Sequence, residues 1–504
     1  MQLPGGGTGV VIPAFCGILG FLAAALPATA AERHVPGQYA TIQTAVDAAE
    51  TGDQVVVAPG TYTGDGNRDI DFRGKTITVR GTNPADPDTV AATVIECQGT
   101  PSDRHRGFYF HSGELAGSAV SGLTIWGGYA DYGGAVYCFG ASPTLTNCLI
   151  TGNTANGNGG GVYCTYYAHV ILSGCAVTTN TAVGSTGRGG GVCCFEDSSL
   201  TIADCTFIGN AAACVGGGVA NGGRSTLTNC TFRENSALGD GAIQNDGEMT
   251  ADRCAFLGNH ASEGSGGAAR SSGNLALMNC AFVRNATNSF GGAISSILAR
   301  LTVVNCTLTR NTAGAHSGAV YSDGIGSTIT NSILWGDTAE MQPEMTLGAC
   351  MIRYSDVQGG NNGISPEDWG DGNIHMDPLF HREPGGGEDY GDVRLRAGSP
   401  CIDAGDTAAI PPGVTIDLAG QPRAVHGAVD MGAYEFTPGD FDRDADVDLG
   451  DYRLFEACFN GPNRLPADTC QTDADLDGDH DVDLVDFGRL QGCFNGPNRP
   501  PACE

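Results

Sequence analysis

Seven times between Cys148 and Cys306 a cysteine is followed five residues later by an asparagine: Cys148/Asn153, Cys175/Asn180, Cys205/Asn210, Cys230/Asn235, Cys254/Asn259, Cys280/Asn285 and Cys306/Asn311. The cysteines recur every 24 to 30 residues. A fixed period in this range marks one supersecondary unit stacked on copies of itself. A solenoid has no single-core size limit, because each coil buries its apolar residues only against its neighbours. One long rod is therefore compatible with a chain of 504 residues.

A second landmark runs in phase with the first. It is a glycine pair followed by a small apolar residue: Gly133-Gly134-Ala135-Val136, Gly160-Gly161-Val162, Gly190-Gly191-Val192, Gly217-Gly218-Val219 and Gly291-Gly292-Ala293-Ile294. Alternating segments such as Leu200-Thr201-Ile202 and Leu301-Thr302-Val303 precede most of the cysteines, and Phe207, Phe232, Phe256 and Phe282 follow two residues after theirs. Short strands at this period predict an all-β fold, a right-handed parallel β-helix with coils about 4.8 Å apart. Leu, Cys and Phe are expected inside, with each asparagine at a turn, bonded to the equivalent amide one coil away. A shorter cysteine row, Cys138, Cys164 and Cys194, is expected to hold mostly free thiols, since in-register parallel strands rarely suit disulfides.

An open β-helix exposes strand edges, so its ends need covers. Ile42, Ala45, Val46 and Ala49 lie at helical spacing after Thr41, a candidate N-cap, and Gly52 closes the segment before Val55-Val56-Val57. Upstream, Val10 to Leu26 is nearly apolar and leads into Ala28-Thr29-Ala30, the pattern of a secretory signal peptide, with a membrane anchor as the alternative. The expected domains are a signal peptide (1–30), an N-terminal cap with first coils (31–120), regular coils (121–336), terminal coils with a closing region (337–436), and a C-terminal module (437–504). No later segment is long and apolar enough to span a bilayer, so no transmembrane segment is expected in the mature chain. The net charge of −31 argues against nucleic acid or an anionic membrane as partner.

Near the C-terminus two segments match with an offset of 35. Asp440, Asp442, Asp444, Asp446, Asp448 and Asp451 form one set, and Asp475, Asp477, Asp479, Asp481, Asp483 and Asp486 the other. Carboxylates at loop positions 1, 3, 5, 7, 9 and 12 are spaced to wrap oxygen ligands around one Ca²⁺, so two calcium sites are expected. From Asp440 to Glu504 there are sixteen acidic and five basic residues, a net of −11 that repels itself without metal. Cys458 with Cys470, and Cys493 with Cys503, are candidates to close matching loops.

Several segments resemble known families. Ile42-Gln43 through Gly52-Asp53 to Pro59-Gly60-Thr61-Tyr62 resembles the start of bacterial secreted proteins with the pectin-lyase-like fold. Asn331 to Trp335, Asp377 to Phe380, Gly398 to Gly405 and Val429 to Glu435 resemble the closing region of secreted β-helix proteins of the choice-of-anchor type. The Gly-Gly-Ala-Ile and Phe-x-x-Asn pairing is similar to repeats of polymorphic outer membrane adhesins, though the chain ends in acidic loops rather than a barrel. The paired aspartate loops resemble dockerin modules, which implies an α-helical tandem calcium module and a cohesin-like receptor or cell-surface scaffold as partner. Ala445 and His480 stand where the usual glycine would, and Leu449-Gly450 and Leu484-Val485 replace the hydroxyl pair of the best-known recognition surface.

Pectin-lyase-like proteins include polysaccharide lyases and glycosidases, which need either a base with Ca²⁺ on a uronate or two carboxylates at controlled separation. Lys75 is the only lysine and precedes the regular coils, which speaks against a lysine base. The remaining polar candidates are His105, Arg106, Tyr163, Tyr166, His169, Arg188, Glu196, Asp197 and Asp246. Of these, Tyr166, His169, Arg188 and Glu196 fall in two adjacent coils and are expected to form a polar patch. The combined expectation is a secreted, calcium-dependent modular protein, extracellular or attached to a cell surface. Its rod binds or displays at polysaccharide or a surface, tethered through the dockerin-like end. The competing class is a polysaccharide lyase or glycoside hydrolase on the same scaffold.

Overall fold

The computed structural model describes residues 30–497 except 196, 325, 342–344, 348–349, 363, 425–426, 443–445, 465–473 and 477–480. Residues 1–29 of the expected signal peptide, together with Glu196, Asp444, Asp477, Asp479, Cys470 and Cys503, lie outside the described residues.

One coil shows how the sequence makes the rod. Strand Thr144–Thr146 runs in a thirteen-stranded sheet, Leu149–Thr151 in a twelve-stranded sheet, Thr154–Ala155 in a narrow nine-stranded sheet and Val162–Thr165 in a ten-stranded sheet, all pairing in parallel with their copies one coil away. The corners between the first three strands are single left-handed residues. Asn147 (φ 50°) precedes Cys148 and Gly152 (φ 61°) precedes Asn153. The same places are held by Asp204 and Gly209, Asn229 and Glu234, and Arg253 and Gly258. The Cys/Asn period is thus the period of two tight corners, each followed by a residue that faces inward.

Parallel in-register stacking brings like residues together. The side chains of Asn153, Asn180, Asn210, Asn235, Asn259, Asn285 and Asn311 are buried, and each Nδ2 donates to the next Oδ1 at 2.8–3.1 Å, ending on Asp337. Asn235 shows the full arrangement: its Nδ2 also donates to the Phe207 carbonyl, and its Oδ1 accepts from both the backbone N–H and Nδ2 of Asn210. Every polar atom of the amide is satisfied, which is what permits burial. Beside this row Phe207, Phe232, Phe256 and Phe282 stack with ring centroids 4.6–5.0 Å apart. The cysteines of the Cys/Asn row and of the shorter row are free, buried thiols. Cys148 points Sγ at the carbonyls of Val120 and Thr146, while the Cys175 thiol and burial push its titration well above the ordinary range.

At the N-terminal end helix Ile42–Ala48 starts on Thr41, whose side chain forms a capping box with Thr44. Ile42, Ala45, Val46 and Ala49 are buried against the first coils. The helix stops at Ala49 rather than Gly52, which instead makes the turn (φ 95°) into strand Gln54–Val57. Lys75 explains the early stop: its Nζ donates to the carbonyls of Val46, Asp47 and Ala49 at 2.8–2.9 Å, satisfying the last turn. The lone lysine therefore serves as a cap.

Beyond the coils, the antiparallel strands Phe380–Arg382 and Asp392–Leu395 fold back along the rod. Phe380, Val393, Leu395 and Met431 pack with Val283 and Ile333 and are joined by Leu257 and Trp335 from the twelve-stranded sheet. The Tyr390 hydroxyl donates to Glu234 and the Ala433 N–H donates to Thr307 Oγ1. This cover packs on the twelve-stranded sheet and does not reach the ten-stranded one.

Candidate functional site

Side chains on a strand alternate between faces, so the residue between the inward valine and the inward cysteine of each glycine landmark points out. Following the register across the ten-stranded sheet, that outward row reads Tyr109, Tyr137, Tyr163, Cys193, Ala220, Gln244, Arg270, Ser295 and Tyr321. It forms the floor of a trough along the rod axis. Tyr109, Tyr137 and Tyr163 stack at 5.3 and 5.5 Å, and Tyr132 stacks on Tyr163 from one margin. On the other margin Phe139 and Tyr166 stack at 4.7 Å with exposed outer surfaces. The Arg106 guanidinium lies 5.2 and 5.1 Å from the Tyr109 and Tyr137 ring centroids.

At Cys193 and Ala220 the floor changes from rings to small side chains, and a depression opens, lined by Arg188, Cys193, Phe195, Ala220, Gln244 and Asp246. Arg188 enters from one margin and Asp246 from the other. Arg188 Nη1 meets Asp246 Oδ2 at 3.3 Å across two coils, and Ser272 Oγ holds the second carboxylate oxygen. Both members of this pair are well solvated, so its worth is at most about 1 kcal/mol and a ligand can displace it. On the same coil as Asp246, Asp240 is buried at 2% exposure, with its Oδ2 3.7 Å from Nη1 of Arg270 one coil further. Burial pushes its carboxyl up to about 7, against the attraction of Arg270 and Arg188 and with the repulsion of Asp246.

The structure distributes the expected patch differently. Tyr166 (φ 60°) and His169 sit at the corner where the chain leaves the ten-stranded sheet, and His169 Nδ1 is 2.5 Å from Ser199 Oγ. Arg188 sits at the corner where the chain enters that sheet. Neighbouring positions along one coil are spread around its perimeter, so nearness in sequence did not bring these groups together. Asp197 is an exposed left-handed turn residue, and His105 is held between Asp69 and Asp103 at 2.6 and 3.1 Å. Arg106, Tyr163, Arg188 and Asp246 do meet the trough, and Tyr166 borders it beside Phe139, whereas His169 lies beyond it. Asp240, Gln244 and Arg270 were missed, although their positions relative to each glycine landmark carried the signal.

The C-terminal segment holds the second candidate site. Helices Leu449–Cys458 and Leu484–Cys493 each begin with an aspartate capping box, Asp448 with Asp451 and Asp483 with Asp486. The two halves exchange backbone bonds: the N–H groups of Asn460 and Gly461 donate to the Val482 carbonyl, and those of Asn495 and Gly496 donate to the Val447 carbonyl. Val447, Phe455, Val482 and Leu490 form a shared core. Cys458 and Cys493 each take part in a disulfide. Among the described residues, carboxylate oxygens of Asp440, Asp442 and Asp451, of Asp446, Asp448 and Asp451, and of Asp481, Asp483 and Asp486 lie within 4.8 Å of one another. Asp475 stands just before Leu476, whose N–H donates to Asp486. Such convergence of hard oxygen donors fits a Ca²⁺ ion, with Asp451 and Asp486 fixed by burial.

The architecture is a right-handed parallel β-helix. A family model described as a right handed beta helix region matches residues 106–242 and 215–356. The chain is similar to a metabotropic glutamate receptor-like protein R of Dictyostelium discoideum, 33% identical over 111 residues, which is 22% of this chain and 7% of that protein. Solved structures it resembles include pectate lyase Pel9A, at 16% identity and TM-score 0.42 over 78% of this chain and 90% of that one. An alginate lyase from Paenibacillus sp. str. FPU-7 matches at 12% identity and TM-score 0.32 over 61% and 95% of the two chains. A mutant form of the PL6 family alginate lyase AlyGC matches at 14% and 0.34 over 76% and 59%. No helix among the described residues is long and apolar enough to cross a membrane.

Proposed function

We propose that this chain engages an extended polysaccharide along the trough and cleaves it at the Arg188/Asp246 depression, as a lyase or glycoside hydrolase. The observation that carries this reading is the change of the floor from stacked tyrosines to Cys193 and Ala220, with a carboxylate and a guanidinium facing each other across the gap. The tyrosines provide a rigid apolar bed for a sugar chain. The gap admits one residue of that chain to a solvated carboxylate that can accept or deliver a proton, beside a cation that can neutralise developing charge. Incubation of the protein with pectins, alginates and neutral glycans is expected to release oligosaccharides, with unsaturated ends if the chemistry is elimination. Asp246→Asn is expected to lower the rate at least about a hundredfold. Equal product from the variant, or none from the unaltered protein, defeats the reading.

A second reading, favoured by the converging aspartates, is that residues 437–504 form a calcium-dependent, dockerin-like tether that fixes a secreted rod to a cohesin-like receptor or cell-surface scaffold. The two readings are compatible, since the loops and the trough share no residue. Calorimetry with Ca²⁺ on the full chain is expected to show two sites, and absence of any heat attributable to Ca²⁺ removes this reading.

A further inference from the structure

We propose that Arg188 and Arg270 together form a subsite for an anionic group of the bound saccharide, and that Asp240 competes with that group for Arg270. The inference deepens the polysaccharide reading and rests on it.

The fold does not ask for a carboxylate at position 240. Ile243 is in register with Val219 and Ala269, and the residues three positions earlier are Asp240, Gly216 and Gly266. Glycine serves there in both neighbouring coils, at φ 67° and 73°. Asp240 is nonetheless buried at 2% exposure, and its Oδ2 accepts no hydrogen bond. Its nearest cation, Arg270 Nη1 at 3.7 Å, is beyond hydrogen-bonding reach. A buried carboxylate held this loosely is a net cost to the fold. Such local inconsistency is expected where function imposes it.

The two arginines are poised in the same way. Arg188 is held by solvated Asp246 at 3.3 Å, and Arg270 stands on the floor beside Gln244, which lines the depression. The charged groups around Asp240 are Arg270, Asp246 and Arg188. A carboxylate or sulfate entering the gap can therefore take bonds from both guanidinium groups that their present partners leave unmade. Protonation of Asp240, whose carboxyl is pushed up to about 7, frees Arg270 for that ligand. Binding of an anionic saccharide then takes up a proton, so its affinity rises as pH falls through this range.

The test is calorimetric titration of the full chain with a uronate oligosaccharide, a sulfated oligosaccharide and a neutral one, at about pH 6 and about pH 8.5. An anionic ligand is expected to bind about tenfold more tightly at the lower pH. Asp240→Asn is expected to bind it tightly at both, and Arg270→Gln to lose the preference over the neutral sugar. Asp240→Gly, the residue of the adjacent coils, guards against a folding defect in the first variant. Whichever anionic oligosaccharide responds names the source of the charge. A pH response that survives both Asp240 variants overturns the inference, as does binding of neutral and anionic sugars alike, which leaves the polysaccharide reading standing. Failure of every saccharide to bind overturns both.

Discussion

The inward and outward residues of the same strands obey different rules. Inside, strand after strand repeats one residue type: asparagine on asparagine, phenylalanine on phenylalanine, cysteine thiol near cysteine thiol. Outside, on the ten-stranded sheet, neighbouring positions run from tyrosine through cysteine and alanine to glutamine and arginine. Stacking at one coil spacing rewards identity where side chains must satisfy one another out of water. On the outward face no such ladder is formed, and variation there is free to serve a ligand. The repeat therefore marks what holds the rod up, and its interruptions mark what the rod does.

The contrast can be broken first from the inside. Asn235→Ala removes an amide that uses all of its bonding capacity, taking the acceptor from the Asn210 N–H, the side-chain donor from the Phe207 carbonyl and one of two donors from Asn259 Oδ1, so a stability loss of about 4 kcal/mol is expected by denaturant titration. A loss below about 1 kcal/mol would show that the ladder follows the fold instead of supporting it. Asp240→Asn should act in the opposite direction. The native carboxyl titrates near 7, above its unfolded value, so the folded protein holds the extra proton between those points. Stability is lost as pH rises from about 4 to about 7, and the variant is expected to be more stable than the parent by about 3 kcal/mol above that range, with the difference vanishing near pH 4. Asp246→Asn sits at the other extreme. Its ion pair is solvated, and the expected change in stability is under about 1 kcal/mol, so any large loss of saccharide cleavage in that variant reflects chemistry and not unfolding.

The architecture was legible because the coil period appears twice in the sequence, in the Cys/Asn spacing and in the glycine landmark. The reason for the spacing was not. Asp204, Glu234 and Arg253 give no hint that they take the left-handed conformation that turns the corner. The site was half legible. Arg106, Tyr163, Arg188 and Asp246 stood out as polar or aromatic residues in an otherwise apolar and small-residue repeat. Tyr166 and His169, however, were grouped with Arg188 because they are near in sequence, whereas a coil carries them to another edge of the sheet. Asp240 was overlooked because it replaces a glycine, and nothing local distinguishes a buried carboxylate from a turn residue.

Sequence alone determined that this chain stacks coils, places its cysteines and asparagines within them, and gathers aspartates in two matched loops, since each follows from a fixed spacing and local chemistry. Tertiary structure decided that residues near 380–395 fold back over the twelve-stranded sheet, and that Arg188 reaches Asp246 across two coils. The physical reason is that contacts between coils join residues separated by one or two whole turns. Their pairing depends on the register and on which neighbours are small enough to let a long side chain lie across them.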